Sequence, residues 1–164
     1  MPPYVFGSWV TEASEAERAE LERNSVGVLA KLHAIDVSGA DAAFLDRPKY
    51  GKTPLEQHLA YQREYYDWAR EGVQYPTLER VFDWLEARRP RTKGRRCLNW
   101  GDSRIGNMLY QAVTPVAVLD WEMAALGAPE VDLAWMLYMH EFFRGLRRGR
   151  RGLNRIRASS TASA

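Results

Sequence analysis

The sequence predicts a mostly helical α+β domain, and three observations carry that prediction. Two helix starts with capping chemistry are followed by apolar residues at helical spacing. The texture switches at Cys97 to short apolar runs, and helical spacing returns after Pro129. Helices, then a hairpin, then a helix is the order of an α+β domain. At 164 residues, with 46% apolar and 27% charged side chains, the chain is long enough for a hydrophobic core.

Taken in order, residues 1–13 are aromatic and β-branched without helical period, and read as an extended lead-in. Ser14 and Glu17 form the S-x-x-E capping pattern. The helix behind them is expected to reach about His33, with Leu21, Val28, Leu29 and Leu32 on its buried side. Residues 36–53 read as a loop. Thr53, Pro54 and Glu56 supply a cap, a proline at the first helical position and an acid at the third. That second helix carries Leu55, Leu59, Tyr66 and Trp68 and is expected to end at Gly72. A third bears Leu78, Val81, Phe82 and Leu85 at i, i+3, i+4, i+7 and stops before Pro90. The basic stretch Arg88–Arg96 is a surface turn. Beyond it, Cys97–Trp100 is a short apolar segment, and Met108–Tyr110 and Val116–Leu119 read as strands around a hairpin loop. The last helix is expected to pack through Val131, Ala134, Trp135, Leu137 and Tyr138 and to fade near Phe143.

Charge and cysteine usage narrow the function classes. From Arg144 to the end there are seven arginines and no acid, so the net +2 of the chain leaves residues 1–143 at −5 once those seven charges are removed. Residues 144–164 read as a solvated, disordered basic tail. No aromatic residue follows Phe143, so the tail lacks a stacking platform for bases, and nucleic acid is not an expected partner. No apolar run is long enough for a membrane span, and the first residues do not form a secretory signal. The single Cys97 excludes an internal disulfide and a thiolate zinc site, which points to a cytoplasmic location. Cys97 itself reads as a small apolar strand residue. His33, His58 and His140 have no ligand spacing and read as structural or exposed.

The chemistry sits in Trp100-Gly-Asp-Ser-Arg-Ile-Gly-Asn-Met-Leu-Tyr110 and Val116-Ala-Val-Leu-Asp-Trp-Glu122. Asp102 and Asn107 stand as D-x-x-x-x-N, and Asp120 ends the second strand of the hairpin. Taken alone, D-x-x-x-x-N is better read as an Asx-type turn. The whole series of apolar strand, Gly-Asp, D-x-x-x-x-N, hairpin, apolar strand and Asp is more specific. In phosphoryl transfer, an aspartate at the first position takes the hydroxyl proton. The asparagine and the second aspartate give magnesium the oxygen ligands it requires.

These segments resemble the aminoglycoside phosphotransferase family, whose motif reads roughly H-G-D-x-R-x-G-N, then L-D-W-E-x-A-x-x-G-x-P-x-x-D-L-A. The branch is the one related to kinase-like domains attached to some acyl-CoA dehydrogenases. The match is dense from Leu98 to Trp135 and weaker over residues 4–35. The resemblance implies the C-terminal lobe of a protein-kinase-like fold over residues 1–143, with ATP as co-substrate, Mg2+ as cofactor and a small-molecule hydroxyl as acceptor. It implies that Asp102 is the catalytic aspartate and that Asn107 and Asp120 are magnesium ligands. Asp132 would brace the catalytic loop, and Arg104 would support it. Glu122 is open between facing the metal or substrate and a structural hydrogen bond.

Three departures stand beside the match. Trp100 replaces the usual histidine, which bears on loop geometry. No glycine-rich loop, strand lysine or hinge precedes Tyr4, so the N-terminal lobe is expected to be missing. The Arg-rich end replaces further helices. The leading expectation is an ATP-dependent phosphotransferase with little turnover from this chain alone; a non-catalytic, pseudokinase-like binding fragment is the alternative. A third and weaker reading is anion binding through the arginines. The apolar Tyr4, Val5, Phe6 and Trp9 are expected either to fold back or to drive self-association at the surface where the missing lobe would dock.

Overall fold

The computed structural model describes residues 9–90 and 94–161. In it, α1 spans Trp9–Glu12, α2 Glu15–His33, α3 Pro54–Ala69, α4 Pro76–Arg88 and α5 Pro129–Thr161. The strands are β1 (Cys97–Asn99), β2 (Met108–Gln111), β3 (Thr114–Val118) and β4 (Ala125–Gly127). No helix among the described residues is long and apolar enough to cross a membrane. The chain forms two compact units: Met1–Lys31, Trp100–Met123 and Asp132–Ala164 make the first, and Leu32–Asn99 with Ala124–Val131 make the second.

In the first unit, α2 starts as its capping box dictates. The Glu17 backbone N–H donates to Ser14 Oγ at 3.2 Å, and the Ser14 N–H donates back to the Glu17 carboxylate at 2.7 Å. Leu21 and Leu29 are buried, while Val28 and Leu32 are half-buried. The expected extended lead-in is corrected at residues 9–12, which form a helical turn. Val10 there is buried against Leu21 and Ile105, so packing overrides the local β-branched preference. Tyr4, Val5 and Phe6 lie outside the described residues.

β2 and β3 pair antiparallel with Met108 opposite Val118 and Gln111 opposite Thr114, and a bulge follows Leu109. Ala112 turns the hairpin at φ 52°. Asn24 on α2 donates to the Val113 carbonyl at 3.1 Å, and Ser25 shares a 2.7 Å hydrogen bond with the Tyr110 hydroxyl. These bonds hold the hairpin to α2.

α5 corrects two expectations. Among its described side chains Asp132 and Met136 are buried, whereas Trp135, Leu137 and Tyr138 lie at the surface. It also does not fade at Phe143: the helical backbone continues through the Arg-rich segment to Thr161. Arg and Leu are strong helix formers, and Arg144 pairs with Glu141 one turn back at 2.8 Å.

In the second unit, α3 begins at the expected cap. Thr53 Oγ1 accepts from the Glu56 N–H at 3.3 Å, and the Glu56 carboxylate accepts from the Thr53 N–H at 3.0 Å. α4 starts at Pro76 and, as expected, stops before Pro90, but it buries no residue. Leu78 and Val81, expected on its packing side, are exposed, and its link to α3 runs through Phe82 against Tyr66 at 5.4 Å. The short ribbon β1–β4 was not legible in the sequence. Cys97 pairs with Gly127 and Asn99 with Ala125, and Cys97 is buried in β1 as its strand reading requires.

Candidate active site

β1 delivers the chain into the loop of residues 100–107, and the hairpin then returns it to Asp120. Three features fix this loop from below. Asp132, fully buried near the start of α5, accepts the Trp100 N–H on Oδ2 and the Gly101 N–H on Oδ1, both at 2.8 Å. A buried carboxylate needs such partners to offset its lost hydration. This is where the sequence expected Asp132. Ser103, also fully buried, donates its hydroxyl to the Asp132 carbonyl at 2.6 Å. Gly101 has φ 93°, and a Cβ there would stand 2.5 Å from the Met123 carbonyl oxygen, so the position requires glycine.

Trp100, in the place of the family's usual histidine, is fully buried. Its indole N–H donates to the carbonyls of Leu119 (2.8 Å) and Asp120 (3.2 Å). The tryptophan therefore ties the loop to the end of β3, and the departure from the motif leaves the loop anchored. The Leu119 N–H adds a 2.8 Å bond to the Asn107 carbonyl.

The loop and hairpin bring Asp102, Arg104, Asn107 and Asp120 together. Asn107 is fully buried. Its Nδ2 donates to Asp102 Oδ2 at 2.6 Å and to the Asp102 carbonyl at 3.2 Å, and it lies 3.4 Å from Asp120 Oδ2. Its Oδ1 is the one buried side-chain polar atom among the described residues without a hydrogen-bond partner. Such an orphan acceptor calls for a ligand. Asp120 is exposed and holds φ 63°, a region that non-glycine residues enter at a cost. The Asn107 amide oxygen and the Asp120 carboxylate are hard oxygen donors on residues that approach each other through Asn107 Nδ2, a donor set that suits Mg2+. Glu122 is exposed.

Arg104 Nε donates to Asp102 Oδ2 at 2.9 Å. Sequence reasoning missed one member of the site. Trp135, assigned to packing, donates its indole N–H to Asp102 Oδ1 at 2.6 Å. One turn separates it from Asp132, so its proximity to the loop was legible from that spacing once Asp132 was placed there. Burial pushes the Asp102 carboxyl up, but hydrogen bonds from Trp135, Arg104 and Asn107 and the charge of Arg104 outweigh it. The carboxyl is held below the ordinary carboxylate range. Asp102 is therefore an ordered, ionised acceptor.

Residues 3–158 match the phosphotransferase enzyme family. Among curated relatives, acyl-CoA dehydrogenase family member 11 of Rattus norvegicus is 30% identical over 124 residues, covering 74% of this chain and 15% of the relative. A solved Ralstonia eutropha protein, assigned as an aminoglycoside phosphotransferase, superposes with TM-score 0.62 at 25% identity. The match covers 83% of this chain and 40% of that one. A streptomycin–ATP complex of APH(2")-IIa shares the fold at TM-score 0.54 and 19% identity, covering 76% of this chain and 42% of that one. The mostly helical, kinase-like fold with small antiparallel sheets is thus shared with these two solved structures, and this chain spans less than half the length of each of the three relatives.

Proposed function

We infer from the phosphotransferase enzyme family, to which this chain belongs, that it is the catalytic lobe of an ATP-dependent phosphotransferase acting on a hydroxyl of a small molecule. The observation that carries this reading is Asn107, fully buried with an unpartnered Oδ1, while its Nδ2 reaches the Asp102 carboxylate at 2.6 Å and the Asp120 carboxylate at 3.4 Å.

The geometry supports one role for each group. Asp102 orients the acceptor hydroxyl and takes its proton as the oxygen bonds to the γ-phosphorus and the bond to the departing ADP oxygen breaks. Asn107 and Asp120 would hold Mg2+, which when bound neutralises phosphate charge. Asp132 positions the loop through the Trp100 and Gly101 amides, and Arg104 holds one oxygen of Asp102. The ATP of the APH(2")-IIa complex supports the choice of phosphoryl donor.

Calorimetry on the chain tests the reading. ATP is expected to bind in the presence of Mg2+ and to lose most of its heat with EDTA or in the Asp120→Asn variant. Binding that ignores both the metal and the variant overturns the assignment of Asn107 and Asp120.

A further inference from the structure

The lone pairs of Asp102 are nearly all spoken for. An ionised carboxylate offers about four acceptor sites, two on each oxygen. Oδ2 already accepts from Arg104 Nε and Asn107 Nδ2. Oδ1 accepts from the Trp135 indole alone. A hydroxyl reaching this carboxylate without breaking the loop must therefore take the remaining site on Oδ1, beside the indole. Whatever carries that hydroxyl lies against Trp135.

The surroundings of Trp135 state what that body is. Its ring lies 5.7 Å from Tyr138 at 32°, and Tyr138 stacks on Phe142 at 6.1 Å and 26°. This ladder follows one face of α5, starts at the reacting carboxylate and is open: Trp135 is 36% exposed, Tyr138 57% and Phe142 47%. The only acid on α5 beyond Asp132 is Glu141, which is paired with Arg144. Seven arginines then follow from Arg144 onward. Such a helix offers aromatic faces for an apolar or planar body, while its one acid beyond Asp132 already has a cation for a partner.

We propose that Trp135 is the acceptor-subsite residue, selecting an alcohol with an apolar or aromatic body that lies along the Trp135–Tyr138–Phe142 ladder and sets its hydroxyl on Asp102 Oδ1. This rests on the phosphotransferase reading and narrows its substrate class away from polycationic aminosugars.

NMR of the chain with 15N-labelled indoles and side-chain amides tests it without turnover. The probes are 3-phenyl-1-propanol, its methyl ether, which cannot donate to a carboxylate, and the polycation kanamycin. The alcohol is expected to shift the Trp135 indole resonance saturably. The ether is expected to bind about ten-fold more weakly for want of the charge-assisted bond, and kanamycin to leave the indole unmoved. Trp135→Ala, followed through the Asn107 side-chain amide, is expected to weaken the alcohol about ten-fold for the lost aromatic contact. Trp135→Phe should recover most of that affinity. The Trp100 indole, anchored on Leu119 and Asp120, verifies folding of both variants.

An ether equal to the alcohol, kanamycin binding more tightly than either, an indole indifferent to all three, or Trp135→Ala matching the parent overturns the proposal. If metal-dependent ATP binding persists in calorimetry, those failures touch the acceptor subsite alone. Loss of metal dependence there overturns the reading beneath it.

Discussion

The loop of residues 100–107 and the α3–α4 pair solve opposite problems. In the loop, polar groups are buried and bonded: Asp132, Ser103 and Asn107 are fully buried, and each makes hydrogen bonds of 2.8 Å or shorter. In α3 and α4, apolar groups are exposed. Trp68 is 74% exposed and Trp84 54%, and the helices are joined by Arg63, which reaches Asp67 at 3.2 Å and Glu79 at 2.9 Å. Exposed ion pairs of this kind contribute little, about 0–1 kcal/mol each. The loop is held by buried groups that cannot be removed singly, whereas α4 is held to α3 by partly exposed contacts: the Tyr66–Phe82 ring pair, the Tyr66 hydroxyl on Glu79 and the Arg63–Glu79 ion pair. The difference teaches that buried polar bonding is concentrated in the loop that carries Asp102 and Asn107.

Two substitutions sharpen that contrast. Asp132→Ala leaves the Trp100 and Gly101 amides without their acceptor, and it is expected to cost about 3 kcal/mol, read as a lower urea midpoint. At the other extreme, Trp84→Ala on α4 is expected to change stability by no more than about 0.5 kcal/mol, as for an ordinary surface site. Equal costs at the two positions would erase the distinction between the regions.

The legibility of the sequence follows the same division. The loop was readable because its spacing is chemical: Asp102, Asn107, Asp120 and Asp132 converge on one region, and Gly101 sits where a side chain has no room. Helix starts were readable because Ser14-Glu17 and Thr53-Glu56 satisfy their own backbone donors locally. Burial was readable only in part: Leu21, Leu29, Cys97 and Asp132 are buried as expected. Apolar periodicity marks a helix face but does not say whether anything covers it, so Leu78, Val81, Leu137 and Tyr138 were assigned to packing and lie at the surface. The β1–β4 ribbon pairs residues some thirty positions apart over three residues each, which leaves no local signal. Trp135 was hidden for a third reason: its apolar ring marked it as packing, while its single N–H makes the contact that matters.

The central claim is that Asn107 and Asp120 share a divalent cation beside Asp102, and paramagnetic relaxation by Mn2+ tests it most directly. With ATP present and Mn2+ well below stoichiometric, the side-chain amide signals of Asn107 are expected to broaden beyond detection. Those of Asn24, bonded to the Val113 carbonyl at the hairpin turn, are expected to persist, and Asp120→Asn should restore the Asn107 signals. Asn107 signals that stay sharp while Mn2+ broadens resonances elsewhere would contradict the account.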